Sequence, residues 1–127
     1  LMLGLCVPPD PCVIVTELFE KNSLQHLLGG KEAISDNQKL GFTLDIARGM
    51  RYLHNALILH LDLKPLNIMV DKTGTCKIAD FGSSRIASLG EDGKITAPNT
   101  GMVGTLAYMA PEILAEESSI DTKADIY

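Results

Sequence analysis

Three short stretches carry side chains that could do chemistry. Residues 60–67 read His-Leu-Asp-Leu-Lys-Pro-Leu-Asn, residues 80–82 read Asp-Phe-Gly, and residues 110–112 read Ala-Pro-Glu. The first stretch supplies a carboxylate at Asp62, an ammonium at Lys64 and an amide at Asn67, and the second adds a carboxylate at Asp80. Carboxylate and amide oxygens suit Mg²⁺ that also binds phosphate and water, and a further carboxylate can accept a proton. Such a set fits metal-assisted chemistry on a phosphate.

The intervening residues predict the elements that position these groups. Apolar residues 58–59 predict a short strand that leads into the first stretch. Residues 67–70 and 76–79, with a turn between them that Gly74 closes, predict two strands of a hairpin. This hairpin would hold Asn67 at the start of one strand and deliver Asp80 at the end of the other, toward one face of a cleft.

The order and spacing of the three stretches resemble the catalytic loop, metal-binding loop and activation segment of eukaryotic protein kinases. The resemblance runs through all 127 residues and implies an α+β, protein-kinase-like bilobal fold. It implies the end of the N-lobe at 1–16, the hinge at 17–22 and the first half of the mainly helical C-lobe at 23–127, with the catalytic loop at 60–67 and the activation segment at 80–112. A kinase domain is about twice this length, so we expect a partial domain that is inactive by itself.

The resemblance also implies ATP and Mg²⁺ as cofactors and assigns roles for phosphoryl transfer. Asp62 would accept the proton of the substrate hydroxyl, and Lys64 would contact the transferring phosphate. Asn67 and Asp80 would bind the metal. Thr105 would hydrogen-bond the base and the lysine, and in this family a lysine and a threonine at these two positions accompany Ser/Thr specificity.

For the nucleotide, the resemblance implies a site at the hinge between the lobes. Thr16 would be the gatekeeper, and the Glu17 carbonyl with the Phe19 amide and carbonyl would bind the adenine edge. Met69 would form a floor for the adenine ring. Asp125 resembles the aspartate that anchors the catalytic loop from the start of the large central helix.

Leu61 departs from most kinases, which have an arginine here that pairs with a phosphorylated residue of the activation segment. Leucine cannot form that pair, so we expect activity that depends less on this phosphorylation. The same loop, with residues 76–82 and 122–127, resembles the Mos kinases of oocyte meiosis, which act on a MAP-kinase kinase at the top of a MAP-kinase cascade. Residues 107–112 resemble Raf-type and mixed-lineage kinases, which remain the alternative within the family.

Two alternatives come from other functional classes. A pseudokinase would keep the fold as a regulatory scaffold without transferring phosphate, although Asp62, Lys64, Asn67 and Asp80 are all present at the expected spacing. A truncated product could instead be a natural binding protein, which would require a protease-resistant core of 127 residues.

Composition indicates the class of protein, its expected compartment and the partners that we do not expect. With 46% hydrophobic residues and a net charge of −5, the chain is typical of a soluble globular protein and lacks the basic surplus of nucleic-acid binders. No apolar run approaches the ~18 residues of a membrane span, so we expect a cytoplasmic protein without membrane or nucleic-acid partners. The three cysteines show no zinc spacing and are predicted to be buried, reduced thiols.

Patterns elsewhere predict a hairpin and two helices. Residues 1–6 and 12–16 predict strands joined by a proline-rich turn. Asn22 or Ser23 would cap a short helix over 24–28 that Gly29 and Gly30 end. Ser35 or Asp36 would begin a longer helix, whose apolar positions between 40 and 57 recur at steps of three and four and predict burial. His54 on this helix is interpreted as a packing or hydrogen-bonding residue.

Overall fold

The structure, a computed structural model, describes residues 2–7 and 12–127. Two strands come first, two helices follow, and short antiparallel strands make up most of the remaining elements. The strands are β1 (Met2–Cys6), β2 (Val13–Thr16), β3 (Ile58–Leu59), β4 (Ile68–Val70), β5 (Cys76–Ile78), β6 (Arg85–Ile86), β7 (Ser88–Leu89), β8 (Ile95–Pro98) and β9 (Ser119–Asp121). The helices are α1 (Leu24–Leu28), α2 (Asp36–Asn55) and α3 (Pro111–Leu114), with 3-10 turns at Pro65–Asn67, Leu106–Tyr108 and Thr122–Asp125.

The first two strands form the predicted hairpin. They pair antiparallel, with Cys6 opposite Val13, and β2 begins one residue later than predicted. Residues 8–11 of the predicted turn lie outside the described residues. The prediction that the cysteines are buried is wrong for Cys6 and Cys12, which are exposed, and right for Cys76. The described residues cover neither face of this hairpin, which leaves its side chains largely exposed.

Both predicted helices are present with the expected starts. The Ser23 hydroxyl caps α1, and Gly29 ends it with φ −85°, so the left-handed ending that glycine permits is not used. At α2, the Ser35 hydroxyl accepts from the Gln38 amide while the Gln38 side chain accepts from the Ser35 amide. This reciprocal pair satisfies two amides that a helix start leaves without partners.

The prediction that α2 is buried along its apolar stripe is wrong for much of its length. Met50 and Leu53 are buried, whereas Leu40 is 59% and Leu44 is 47% exposed. Strands β3 and β5 pack against α2 and cover one side of it. The helix also ends at Asn55, so Leu57, which the pattern placed on the stripe, lies in the following turn with φ 58°.

Two apolar clusters hold the remaining elements together. The smaller packs α1 and α2 against the β4–β5 hairpin and consists of Leu24, Ile68, Val70 and Cys76. The larger joins the stretch after β3 to β8, α3 and β9, and consists of Leu59, Leu61, Ala87, Ala97, Met109, Ala110, Ile113, Ile120 and Ala124. Residues 60–67 therefore run from the larger cluster, which holds Leu61, to the smaller one, which holds Ile68.

The β4–β5 hairpin agrees with the prediction except at its ends. Ile68 pairs with Ile78 and Val70 with Cys76. Asn67 lies in the preceding 3-10 turn, because Pro65 fixes φ and lacks an amide hydrogen for strand pairing. The Cys76 amide donates to Asp45 Oδ2 at 3.1 Å, which ties the hairpin to α2.

Residues after 82 form two further antiparallel units. Strand β6 pairs with β3, and β7, β8 and β9 form a three-stranded sheet with β8 in the centre. The predicted activation segment is therefore paired both with the strand before the catalytic loop and with the strand after α3.

Candidate active site

Asp62 is the centre of a compact polar network. Its Oδ2 accepts from Lys64 Nζ at 2.7 Å and from Asn67 Nδ2 at 2.9 Å. Lys64 Nζ also donates to Thr105 Oγ1, from a segment 41 positions away in sequence. Tertiary structure therefore joins three residues of one loop to the threonine that the sequence singled out.

The Asp62 carboxylate is ionised in this setting. Burial pushes the pKa of Asp62 upward, but the polar side chains of Lys64, Thr105 and Asn67 outweigh burial and hold this pKa below its usual value. Asp62 Oδ1 is buried and makes no hydrogen bond within the described part of the chain. A buried acceptor without a donor costs about 1–3 kcal/mol, which an incoming hydroxyl group would relieve.

Asp125 fixes the backbone that carries Asp62. Its Oδ2 accepts from the His60 amide at 2.9 Å and its Oδ1 from the Leu61 amide at 2.7 Å. His54 Nε2 adds a third contact to Oδ2 at 2.8 Å, which confirms that His54 is a hydrogen-bonding residue. Leu61 adopts φ 64°, a left-handed conformation that is uncommon for leucine and needs such support.

His60, to which the sequence alone assigns no role, links this loop to the segment that carries Asp80. Its Nδ1 accepts from the Asp62 amide at 3.3 Å, so Nε2 carries the hydrogen that is donated to the Ala79 carbonyl at 3.1 Å. The His60 and Phe81 rings meet edge to face at 5.4 Å. The property that marks His60 as structurally important is its complete burial, and burial cannot be read from a sequence.

Asn67 and Asp80 are placed at adjoining ends of the β4–β5 hairpin. The Ala79 amide donates to the Asn67 carbonyl at 2.9 Å, so Asp80 follows directly on a residue bonded to Asn67. Asn67 Nδ2 donates to both the carbonyl and the carboxylate of Asp62. These two bonds fix the amide orientation, so Oδ1 is the side-chain atom of Asn67 that could bind a metal.

This donor set fits Mg²⁺. The cation prefers one or two protein oxygens together with phosphate and water, and Asn67 Oδ1 with the exposed Asp80 carboxylate supplies that number. Within residues 2–7 and 12–127, no group of three or more His, Cys, Asp or Glu side chains forms a closed metal cage. The same residues contain no helix long and apolar enough to cross a membrane.

The residues predicted to bind adenine lie along β2, the segment after it and β4. Thr16 is exposed and its hydroxyl donates to the Glu17 carbonyl at 3.3 Å. The Phe19 carbonyl accepts from the Asn22 amide at 3.1 Å, which leaves its second lone pair for a ligand. Met69 is half-buried in β4 and bridges to Ser23.

Gly104 lets the segment that carries Thr105 approach the loop that carries Asp62. Its φ is 99°, and a Cβ atom here would collide with the Leu61 carbonyl. Leu61 itself is 6% exposed and packs in the larger apolar cluster. Leu61 thus makes apolar contacts at the position where most kinases have an arginine that pairs with a phosphorylated residue.

A family model described as a protein kinase domain matches residues 2–127. The chain belongs to the protein kinase family. It is 41% identical over 132 residues to Serine/threonine-protein kinase CTR1 of Arabidopsis thaliana, covering 100% of the chain and 15% of that relative. It is 40% identical over 131 residues to Dual specificity protein kinase shkB of Dictyostelium discoideum, covering 100% and 19%.

A third relative, Serine/threonine-protein kinase 12 of Arabidopsis thaliana, is 38% identical over 128 residues, covering 98% of the chain and 27% of that relative. The predicted kinase-like fold with mixed helices and strands is therefore confirmed. The chain spans a minor part of the length of each of these relatives. The activity, substrates and partners of the whole kinase belong to the proposals below.

Proposed function

We propose that the full-length kinase transfers the γ-phosphate of ATP to a serine or threonine hydroxyl of a protein. The observation that carries this proposal is the network in which Asp62, Lys64, Asn67 and Thr105 meet. Lysine and threonine at these positions accompany Ser/Thr specificity in the family. Two of the three relatives named above are called serine/threonine-protein kinases.

In the proposed reaction, the substrate hydroxyl oxygen attacks the γ-phosphorus of ATP and Asp62 accepts the proton that the hydroxyl loses. The bond between the γ-phosphorus and the bridging oxygen of the β-phosphate breaks, and ADP leaves. An ordinary aspartate is ionised at neutral pH, and the lowered pKa of Asp62 leaves its carboxylate in that proton-accepting form. Lys64 places a positive charge beside it, where developing negative charge on the phosphate is stabilised. Asn67 and Asp80 would hold Mg²⁺, which, when bound with ATP, neutralises the phosphate charge.

The test is Asp62→Asn in the full-length protein. General-base assistance is worth roughly 10² to 10⁴ in rate, so kcat should fall by that factor while ATP binding persists. Asp36→Asn is the matched control, because Asp36 is an exposed carboxylate in the first turn of α2. Transfer by a folded Asp62→Asn variant at the rate of the control would contradict the assigned role. A wild-type protein that binds a partner but transfers no phosphate would support the pseudokinase alternative.

The proposed substrate is a MAP-kinase kinase, as for Mos kinases. This finer proposal is supported by Leu61 within the loop and by the closing residues 122–127, while residues 107–112 favour a Raf-like or mixed-lineage role. Phosphorylation of a catalytically dead MAP-kinase kinase, compared with a generic basic substrate, measures the preference. Equal transfer to both would refute a dedicated role in a MAP-kinase cascade.

We also propose a cytoplasmic location and, following the Mos resemblance, a role in meiosis. Imaging of the full-length protein in oocytes of its source tests both. Exclusion from the cytoplasm, or absence from oocytes, would refute them.

A further inference from the structure

Lys77 of β5 reaches across to the segment predicted as the hinge. Its Nζ donates to Glu17 Oε2 at 2.6 Å and lies 5.7 Å from the centroid of the Phe19 ring. The two charged side chains are 40% and 25% exposed, so solvent screens the pair only in part. One cation therefore contacts both residues whose backbone groups are proposed to bind adenine.

The position of Lys77 makes this contact a link between the two parts of the nucleotide site. In β5, Lys77 pairs with Met69, the proposed floor of the adenine site, and it lies three residues before Asp80. The Lys77 side chain thus connects the β4–β5 hairpin, which leads to the proposed metal ligand Asp80, to the segment that is proposed to bind adenine.

The far end of the hinge is already attached to the same hairpin by backbone bonds. The Lys21 amide donates to the Val70 carbonyl at 3.2 Å, and the Val70 amide donates to the Asn22 carbonyl at 2.9 Å. Because these bonds join backbone groups, they hold residues 21–22 against β4 without any contribution from side chains. At residues 17–19, the Lys77 side chain adds a hydrogen bond to Glu17 and a contact with the Phe19 ring.

We propose that Lys77 is a positioning residue that holds residues 17–19 against the β4–β5 hairpin in the geometry that binds adenine. The inference rests on the proposed kinase function. An ammonium that bonds a carboxylate and also lies over an aromatic ring restrains both side chains. Restraint before the ligand arrives reduces the ordering that binding would otherwise require, and so strengthens binding.

The charge states favour a link that persists across the working pH range. The hydrogen bond from Lys77 lowers the pKa of Glu17, and the same bond raises the pKa of Lys77. Both shifts extend the pH interval in which the pair is fully charged. The link therefore responds to the removal of either side chain rather than to modest changes of pH.

The experiment compares Lys77→Met with wild type in the full-length protein, measuring kcat, KM for ATP and the affinity for Mg·ADP by calorimetry. KM for ATP should rise about two- to fivefold, the range expected of a partly exposed ion pair, with kcat nearly unchanged. Lys77→Arg should restore the wild-type KM. Lys72→Met is the matched control, because Lys72 lies on the exposed turn of the same hairpin.

Glu17→Gln and the double variant complete a thermodynamic cycle. If Lys77 acts through Glu17, Glu17→Gln raises KM for ATP as well, and the double variant is no worse than Lys77→Met alone. A KM at or below wild type, a fall in kcat with unchanged KM, or fully additive effects would each overturn the proposal. If Lys77→Met fails to fold, Glu17→Gln and Lys77→Arg supply the same readout.

Failure of this inference and failure of the proposed function are separable. Calorimetry with Mg·ADP measures nucleotide affinity without phosphate transfer. A wild-type protein that binds Mg·ADP but transfers nothing refutes the kinase activity, and the Lys77 variants still decide the positioning role.

Discussion

Replacing Asp125 with alanine should release the loop that carries Asp62. The Asp125 side chain is fully buried and accepts hydrogen bonds from the His60 and Leu61 amides at 2.9 and 2.7 Å. Each buried amide left without an acceptor costs about 1–3 kcal/mol, so the pair costs about 2–6 kcal/mol. Leu61 would also lose the bond that supports its left-handed backbone, at φ 64°.

That loss is large beside the whole stability of a domain, about 5–15 kcal/mol. We therefore expect a lower melting temperature and faster amide hydrogen exchange at residues 60–61 in full-length Asp125→Ala, together with a loss of activity. Asp125→Asn should behave similarly, because its NH₂ group would face one of the two amide donors. This isosteric variant keeps the measurement possible if the alanine variant does not fold.

Asp121→Ala is the control for losing a carboxylate in the same region. Asp121 lies four residues earlier and caps the 3-10 turn Thr122–Asp125 by accepting from the Lys123 amide at 2.7 Å. Loss of such an exposed cap costs about 1 kcal/mol and should leave exchange at residues 60–61 unchanged. Equal exchange in the two alanine variants would refute the view that Asp125 anchors the loop.

Three further predictions concern other positions. Gly104→Ala should reduce stability and kcat far more than Gly101→Ala. Both glycines have φ near 100°, but only at position 104 would a Cβ atom collide with the Leu61 carbonyl. Equal effects of the two variants on melting temperature would contradict this prediction. Replacing the hydroxyl residues of the activation segment that could accept a phosphate by alanine should lower activity less than about tenfold. The reason is that Leu61 contacts this segment by apolar packing, whereas an arginine would pair with a phosphorylated residue. A greater loss in a kinase assay would refute this prediction. The acceptors are Ser83, Ser84, Ser88, Thr96 and Thr100. Burial raises the pKa of the Cys76 thiol from 9.0 to about 11, so native alkylation at neutral pH should spare Cys76 and label the two exposed cysteines. The contribution of this thiol to stability should be complete below pH 9.0 and should fall progressively as the pH rises from 9.0 to about 11. Prompt native labelling of Cys76 would refute its burial.

Local patterns predicted most of the secondary structure. The reciprocal cap at Ser35 and Gln38, the start of α1 at Ser23 and the β4–β5 hairpin follow from short-range rules of hydrogen bonding and turn chemistry. The same patterns misjudged burial. A stripe such as that with Leu40 and Leu44 indicates a face that can be covered, but which part is covered depends on the elements packed against it.

The sequence does not predict the paired strands of the activation segment. Strands β7, β8 and β9 are two to four residues long, and β9 comes from beyond α3. Such short strands carry too little periodicity to be predicted. They form because Ala97 and Ile120 are buried in the cluster that also holds Leu61.

By itself, the sequence determined the family and the residue types available for chemistry, because three short motifs keep fixed spacings that one loop and one hairpin impose. Only the tertiary structure decided how those residues are used. It brought Thr105 to Lys64 and Asp125 to the loop amides across separations of 41 and 64 or more positions. It also turned Lys77, an ordinary strand lysine in the sequence, into a contact with the hinge. Contacts between distant segments depend on how complete elements pack, and local periodicity carries no record of that packing.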